Sequence, residues 1–467
     1  MKKRIVQIVF WVGMIILLSG CMMQSGEELY ALPQLPEDYL ALQDTIDQVM
    51  KELGAEYAAP SAGSNVQSIQ LHDLDGDDKG EKEAAVAFFR VLGGEKPLKI
   101  YIFKQNSMGE YEVAWSIEGD GNAIYTVAFE NLGGTKAKEL VVSWQISSKV
   151  HSLSAYSLQR GGDVLELMRS GYTKHAVVDL DRDNEKEIVL LQLDTAENNS
   201  RAELYKYSSG LMVHTSTAPL SLNLTEIESA KVGTLKDMIP ALFVSSDFGE
   251  NGGQITDVIA LKEDVLTNLL LDKASGMSLM TRRYYKGFQD SNGLDINGDG
   301  VMELPIPELL PTVIGENIST TASTTQMYLL HWYQFDLNGN PFRMCTTFHC
   351  YEDGWYMVFP ESEEWLNHVA VARRDAISAN VTERAVSFYY WPDWSEEKEP
   401  VEFLTIYRLS GANRSIRASL DERIKLVETN DVIYAAKIRN TAWDCGLDRD
   451  DLLELFNRIK ISWSAEN

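Results

Sequence analysis

The sequence predicts a mainly β fold: a β-propeller of about five blades, with an N-terminal helix before it and a small C-terminal α+β domain after it. Three observations support this prediction. Short strand-like runs recur between residues 66 and 352, about four to a unit, and an acidic loop with one spacing occurs three times. Long helical patterns are few. Five similar four-stranded units in a row are typical of a propeller, which arranges short sheets radially and protects their edges.

The N-terminus, residues 1–20, has the pattern of a signal peptide. Lys2, Lys3 and Arg4 form a basic region, an apolar stretch too short to span a membrane comfortably follows, and small residues precede Cys21. The run Leu18-Ser-Gly-Cys21 resembles the lipobox of bacterial lipoproteins. The resemblance implies that Cys21 is diacylated, becomes the mature N-terminus and holds the chain on the extracytoplasmic face of the cell membrane. The alternative is an ordinary secretory signal with a nearby cysteine.

Residues 21–65 are predicted to form a polar tether and one amphipathic helix. The apolar residues recur with helical spacing, and Gly54 suits the end of the helix. They are Tyr39, Leu42, Ile46, Val49, Met50 and Leu53. A segment rich in Pro, Gly and Ser then leads to the first strand.

The strand-like units cover approximately residues 68–117, 125–168, 176–215, 227–271 and 284–351. An acidic loop is predicted between the first and second strands of units one, three and five. Units two and four keep the strands, but their loops have lost most or all of the oxygen-bearing side chains.

The three acidic loops have the spacing of a calcium site. Each places oxygen-bearing side chains at positions 1, 3, 5 and 9, and Ca²⁺ prefers six to eight oxygen ligands. The predicted ligands are Asp73, Asp75, Asp77 and either Glu81 or Glu83; Asp179, Asp181, Asp183 and Glu187; and Asp295, Asn297, Asp299 and Glu303. The backbone carbonyls of Glu185 and Val301 are expected to complete the second and third sites. The alternatives are solvated turns, which also favour Asp, Asn and Gly, and carboxylate pairs for acid/base chemistry.

The loop pattern Asp-x-Asp-x-Asp-Gly-x-x-Glu between two strands resembles the FG-GAP/VCBS repeat, the calcium-bearing blade of integrin-type propellers. The similarity covers about residues 66–352 and is strongest at residues 179–187 and 295–303. The whole chain also resembles uncharacterised lipoproteins of anaerobic Gram-positive bacteria that carry such repeats. This resemblance implies an architecture and a location, but no activity.

The remaining residues, 353–467, break the repeat. Strand-like runs, a hairpin near Asn430 and an amphipathic helix from Asp448 to Ile459 predict a small α+β domain of unknown function. Its pattern resembles no characterised family.

Composition excludes several classes of function. The net charge of −27 argues against nucleic-acid binding and against electrostatic adhesion to anionic lipid. The three cysteines after Cys21 do not form a disulfide framework. The sequence has no zinc-protease, nucleophile-elbow, phosphate-loop or dinucleotide-binding motif.

The leading hypothesis is therefore a non-enzymatic module, stabilised by structural calcium, that binds a protein or glycan of the cell envelope. The alternative is an enzyme acting on envelope polysaccharide, a lyase or a hydrolase, on the same scaffold. A transporter's solute-binding protein would instead show alternating strands and helices.

Overall fold

The computed structural model of this chain describes residues 37–74, 84–133, 137–159, 161–249, 253–282, 293–314, 317–319, 327–378, 381–392 and 399–459. The predicted signal peptide and Cys21 lie outside these residues, as do Asp75, Asp77, Glu81 and Glu83 of the first acidic loop. Within them, no helix combines the length and apolar character that crossing a membrane requires.

Helix α1 (Glu37–Leu53) opens the described chain. It contains neither glycine nor proline, and it ends where Gly54 takes the left-handed conformation, with φ 61°. Leu42 and Ile46 lie on its buried side, as the sequence predicts.

Four antiparallel sheets follow in chain order, and each is the core of one blade. Blade 1 contains β1 (Ala55–Tyr57), β2 (Ile69–His72), β3 (Ala84–Val91), β4 (Leu98–Gln105) and β5 (Tyr111–Gly119). Blade 2 contains β6 (Ala123–Glu130), β7 (Glu139–Gln145), β8 (His151–Leu158) and β9 (Val164–Tyr172). Blade 3 contains β10 (Lys174–Val178), β11 (Glu187–Gln192), β12 (Arg201–Ser208) and β13 (Leu211–Pro219). Blade 4 contains β14 (Leu224–Leu235), β15 (Ile239–Phe248), β16 (Gly253–Lys262) and β17 (Val265–Asn268).

Beyond blade 4, short strands lead into two further sheets. In chain order the strands are β18 (Leu271–Asp272), β19 (Met277–Ser278), β20 (Thr281–Arg282), β21 (Leu304–Leu309), β22 (Thr312–Ile314), β23 (Asn317–Ser319), β24 (Tyr328–Phe335), β25 (Pro341–Cys350), β26 (Trp355–Phe359), β27 (Val369–Ser378), β28 (Val381–Tyr390), β29 (Val401–Gly411), β30 (Ile424–Glu428), β31 (Val432–Ile438) and β32 (Phe456–Arg458). Helices α2 (Glu363–Asn367), α3 (Arg414–Arg417) and α4 (Arg449–Leu455) lie between them.

Blade 5 has the strand order β21-β24-β25-β26, and β32 from the end of the chain pairs with β26. The remaining strands form a seven-stranded sheet in the order β23-β22-β27-β28-β29-β31-β30. The fold class predicted from the sequence is confirmed: mainly β, with five propeller-type blades, an N-terminal helix and a C-terminal α+β unit.

Two local expectations were wrong, and a third falls partly outside the described residues. The first strand of unit five was expected before the third acidic loop, but residues 283–292 lie outside the described part; of the residues after them, Leu294 forms a bridge with Glu303, and β21 follows the loop. Strand β26 belongs to the sheet of blade 5 rather than to the tail. Helix α4 begins after the predicted N-cap, Asp448, but ends at Leu455, because the chain then extends to pair with β26.

In blades 1 to 4, the strand that follows the first loop is apolar on both faces because it packs between two neighbours. These strands are β3, β7, β11 and β15. In β11, Ile188 and Leu190 face blade 2, whereas Val189 and Leu191 face blade 4. Buried clusters of this kind join blades 1 and 2, 2 and 3, 3 and 4, and 4 and 5.

The first and last blades have additional partners. The free face of β3 packs against α1, and blade 5 shares a large aromatic core with the seven-stranded sheet. Among the described residues, no buried cluster joins blade 1 to blade 5.

Candidate metal centre

A buried glutamate closes the first turn of blades 2, 3 and 5. In each case one carboxylate oxygen accepts a hydrogen bond from a backbone N–H near the start of the loop. The pairs are Glu139 with Leu132 (2.9 Å), Glu187 with Leu180 (2.7 Å) and Glu303 with Ile296 (2.9 Å). The bond pins position 9 of the loop to position 2 and uses only one of the two oxygens of each carboxylate.

Strand register shows that these three glutamates occupy one repeated position. Each pairs across the turn with the residue directly before the loop: Glu130, Val178 and Leu294. In blade 1 the corresponding partner of His72 is Ala84, so the first loop is three residues longer than the second. In blade 4 the corresponding residue is Ala241, opposite Gly233.

The loop of blade 3 is organised by its own carboxylates. Asp179 accepts hydrogen bonds from the backbone N–H of Arg182 (2.7 Å) and of Asn184 (3.1 Å). The Oδ1 atoms of Asp181 and Asp183 accept from the backbone two residues further on, at 3.2 and 2.8 Å. One oxygen from each of Asp179, Asp181 and Glu187 lies within 4.8 Å of the others. These oxygens are of the type and spacing that a hard divalent cation binds.

The loop of blade 5 repeats the hydrogen-bond pattern of the blade 3 loop, although its described carboxylates do not form a group that converges as in blade 3. Asp295 accepts from the backbone N–H of Gly298 (2.7 Å), Asp299 (3.0 Å) and Gly300 (2.9 Å). Asn297 Oδ1 accepts from Asp299 N at 2.9 Å, and Asp299 Oδ1 accepts from Val301 N at 2.9 Å. The two loops therefore share one backbone path, which the sequence spacing predicts.

Two residues in each loop take the left-handed conformation that this path requires. They are Arg182 (φ 66°) and Asn184 (φ 71°) in blade 3, and Gly298 (φ 78°) and Gly300 (φ 84°) in blade 5. Glycine and asparagine tolerate this conformation, but arginine does so only at a cost. The Arg182 guanidinium hydrogen-bonds the backbone carbonyls of Asp237 and Met238 in the turn of blade 4, which helps to hold it there.

Burial sets the electrostatics of the closing glutamates. Burial, with smaller contributions from the neighbouring Asp181 and Asp183, raises the pKa of Glu187 to about 7. Burial also raises the pKa values of Glu139 and Glu303. A carboxylate held in this way is stabilised by a nearby cation, because the cation offsets both desolvation and repulsion.

The side chain that faces the closing glutamate differs between blades. In blade 3 it is Lys206, whose Nζ lies 2.5 Å from Asp181 Oδ2 and 3.9 Å from Glu187 Oε1. In blade 5 it is Gln334, whose Nε2 donates to Asp299 Oδ2 (2.8 Å) and Glu303 Oε1 (2.7 Å). The sequence analysis missed both residues, because they lie 19 and 31 residues after their glutamates and no fixed spacing identifies them.

The loops lie at the seams between blades. The residue before the closing glutamate donates its backbone N–H to the previous blade: Lys138 to Leu74 O (2.9 Å), Lys186 to Asn131 O (2.8 Å) and Met302 to Thr234 O (2.9 Å). A cation bound in such a loop would therefore stabilise the contact between two blades as well as the loop itself.

Of the predicted ligands of the second loop, the structure brings together Asp179, Asp181 and Glu187, without Asp183; among the described residues the carboxylates of the third loop do not converge in this way, and the first loop is covered only in part. Asp73 is described, and the other predicted ligands of that loop are not. Coordination by the Glu185 and Val301 carbonyls stays a prediction.

Two histidines of blade 5 face opposite sides of the sheet. His331 hydrogen-bonds Glu308 (Nε2–Oε2, 2.7 Å) and Thr346 (Nδ1–Oγ1, 3.0 Å). His349 stacks on Tyr356, with ring centroids 4.9 Å apart, and burial lowers its pKa to about 3. Because Thr346 is fully buried, the row of Thr346, His331 and Glu308 is a packing network rather than an accessible nucleophile.

No protein-family model and no curated protein matches this chain. Several solved structures align with it at low similarity. A protein from Lactobacillus plantarum shares 10% identity, with a TM-score of 0.26 over 70% of this chain and 91% of its own. The Dos1 propeller shares 8% identity, with a TM-score of 0.25 over 69% of this chain and 77% of its own.

An exo-β-1,3-galactanase from Phanerochaete chrysosporium, solved with galactose, shares 9% identity, with a TM-score of 0.24 over 72% of this chain and 79% of its own. All three TM-scores are below 0.5. The blade architecture described above therefore rests on the strand pairing of this chain, and these alignments say nothing about its activity.

Proposed function

We propose that this protein is a calcium-stabilised binding module of FG-GAP/VCBS type, anchored through Cys21 at the extracytoplasmic face of the cell membrane. The observation that carries the proposal is the convergence of Asp179, Asp181 and Glu187 oxygens within 4.8 Å, in a loop hydrogen-bonded to the neighbouring blade. Blade 5 repeats the loop. In this proposal the cation holds the blades in place, and a protein or glycan of the envelope binds to the loops that the blades present.

Calcium has a structural role in this proposal. The acidic loops occur in only some of the blades, whereas the strand framework recurs in all five. At about 1 mM calcium and a dissociation constant of roughly 0.1 mM, each site would contribute about 1.4 kcal/mol to the free energy of unfolding. Calcium should raise the melting temperature and chelator should reverse the rise. A chain that binds no calcium at several millimolar in calorimetry contradicts this part of the proposal.

The anchor has its own test. Replacing Cys21 with Ala should release the protein into the medium or leave its precursor uncleaved, because the acylated thiol would be lost. Membrane fractionation and intact mass measure the two outcomes. A wild-type mature chain without lipid would contradict the anchor while leaving the calcium sites untouched.

The binding role is tested by capture from native envelope. Full-length protein should retain a specific envelope component in calcium and retain less of it in chelator, since the loops stabilise the blade seams. Asp73→Asn, Asp183→Asn and Asp299→Asn combined should mimic the chelator. Turnover of an envelope polysaccharide that is lost with one substitution, while the fold stays intact, would instead establish an enzyme.

A further inference from the structure

The residue that faces the closing glutamate occupies one repeated place in the blades. Ile188 pairs with Tyr205, Leu304 pairs with Tyr333 and Leu140 pairs with Tyr156. The next residue on the third strand, in the direction of the loop, is Lys206 in blade 3, Gln334 in blade 5 and Ser157 in blade 2. The pairing of the second and third strands places this residue beside the loop. The number of residues between the two strands does not change its place.

Lys206 balances charge inside its own loop. Its ammonium bonds Asp181 Oδ2 at 2.5 Å and lies 3.9 Å from Glu187 Oε1. Asp181 and Glu187 are two of the three residues whose oxygens converge. A cation bound there would have to share these oxygens with a positive charge that can only donate hydrogen bonds.

Gln334 also contacts the closing glutamate of its loop, together with the carboxylate at position 5 rather than position 3, and it adds no charge. Its amide nitrogen donates to Asp299 Oδ2 and Glu303 Oε1 at 2.8 and 2.7 Å. Rotating the terminal amide would present its carbonyl oxygen to the same place, so glutamine can serve as a ligand where lysine cannot. The two loops share one backbone path but differ in this facing residue, and at position 3, where blade 3 has Asp181 and blade 5 has Asn297.

We propose that this facing residue sets the calcium dependence of each loop: Lys206 acts as a built-in counter-cation that weakens calcium binding in blade 3, whereas Gln334 leaves blade 5 dependent on an external cation. The inference rests on the proposed calcium sites and assigns them an order, with blade 5 filling before blade 3. Lys206 keeps part of its side chain exposed, 24%, so it can move into solvent when calcium enters.

The test uses the full-length chain and calcium alone, measured by calorimetry. With the predicted first loop disabled by Asp73→Asn in every variant, Asp299→Asn isolates the loop of blade 3, and Asp183→Asn isolates that of blade 5. In the first background, Lys206→Gln should strengthen calcium binding at least about tenfold, because a unit charge is removed from about 4 Å away. In the second, Gln334→Lys should weaken binding to a similar extent.

Two controls separate this effect from charge in general. Lys425→Gln removes one positive charge from an exposed pair with Glu428 on the C-terminal sheet, and should leave both affinities unchanged. Lys206→Arg keeps the charge and should not strengthen binding. In chelator, Lys206→Gln should also lower the melting temperature, because the carboxylates lose their internal partner.

Each result has a distinct meaning. If Lys206→Gln, folded as judged by circular dichroism, changes the affinity of blade 3 by less than twofold, the inference about Lys206 is overturned while calcium binding stands. If wild type and all variants bind no calcium, the proposed sites themselves fail. Binding by Lys206→Gln where the wild-type loop binds none would support the inference most directly.

Discussion

At the scale of single residues, burial decides which ionised groups this fold tolerates. Backbone N–H groups that point at a carboxylate favour its charged form, as at Asp299, whose pKa is lowered by the hydrogen bond from Val301 N. The imidazole of His175 is in a different environment. It packs edge-on against Tyr172, with ring centroids 4.8 Å apart, and burial, aided by His151 and Lys174, lowers its pKa to about 4.

His175 therefore makes stability depend on pH in a defined window. In the unfolded chain it binds a proton near pH 6.5, but in the folded chain only near pH 4. The contribution of His175 to stability should thus fall as pH decreases from about 6.5 to 4, by at most about 1.4 kcal/mol per pH unit, in a window where Glu187 and His349 also titrate. Denaturant unfolding at a series of pH values measures it.

The matched variants are His175→Gln and His214→Gln. His214 is exposed and bonds Thr217, so its removal should leave the pH slope unchanged. Removal of His175 should flatten the slope between pH 4 and 6.5, whatever it does to stability at neutral pH. Equal slopes for wild type and His175→Gln would show that this histidine does not titrate differently in the two states.

At the scale of elements, close approach of neighbouring blades constrains the strand ends. The last residue of β5, Gly119, lies against the fully buried indole of Trp144 in β7 of blade 2. A methyl group at Gly119 would lie 2.2 Å from a ring carbon of Trp144. Only glycine allows blades 1 and 2 to come together at this distance.

Gly119→Ala should consequently destabilise the protein by about 1–3 kcal/mol or more, since a packed core accepts an added carbon only by shifting its neighbours. Gly94→Ala is the control: its new methyl group would have no neighbour closer than 3.9 Å, and its φ is not positive. The two free energies of unfolding should differ clearly. A Gly119 variant as stable as the Gly94 variant would mean that the seam can widen without cost.

The elements also show where sequence reasoning succeeds. The second strands were predictable because two-sided packing makes them continuously apolar, as in β11. Strand β21 was missed because it contains Pro305 and Pro307. It is an edge strand of its sheet, and an edge strand can lack backbone donors on its free side.

The candidate site was predictable only in part, for a similar reason. The spacing of its acidic residues follows from a local turn and is visible in one stretch of chain. Lys206 and Gln334 reach the loops through strand pairing instead. In blade 5 the short strands β22 and β23 intervene between β21 and β24. The number of residues between a closing glutamate and its facing residue therefore differs between blades and does not identify the facing residue in the sequence.

At the scale of the whole molecule, the first and last blades each pack on an additional element. Helix α1 covers Ala85, Ala87, Phe89 and Phe103 on the free side of blade 1, and the seven-stranded sheet packs on blade 5. Stacked units that each bury one face against a neighbour leave the outer units with an apolar face to cover. The helix covers this face on blade 1, and the C-terminal sheet covers it on blade 5.

Helix α1 should accordingly be required for the stability of blade 1. Ile46 is fully buried in this contact, so Ile46→Ala should cost about 2–5 kcal/mol. Leu40 lies on the same helix but is 50% exposed, and Leu40→Ala should change stability by at most about 0.5 kcal/mol.

Hydrogen exchange should show where Ile46→Ala acts. Amides of β3 and β4 should lose protection before those of β24 and β25, because several contacts between blades separate blade 1 from blade 5. Equal loss of protection in blades 1 and 5 would show that the molecule opens as one cooperative unit, and would contradict a local role for the helix.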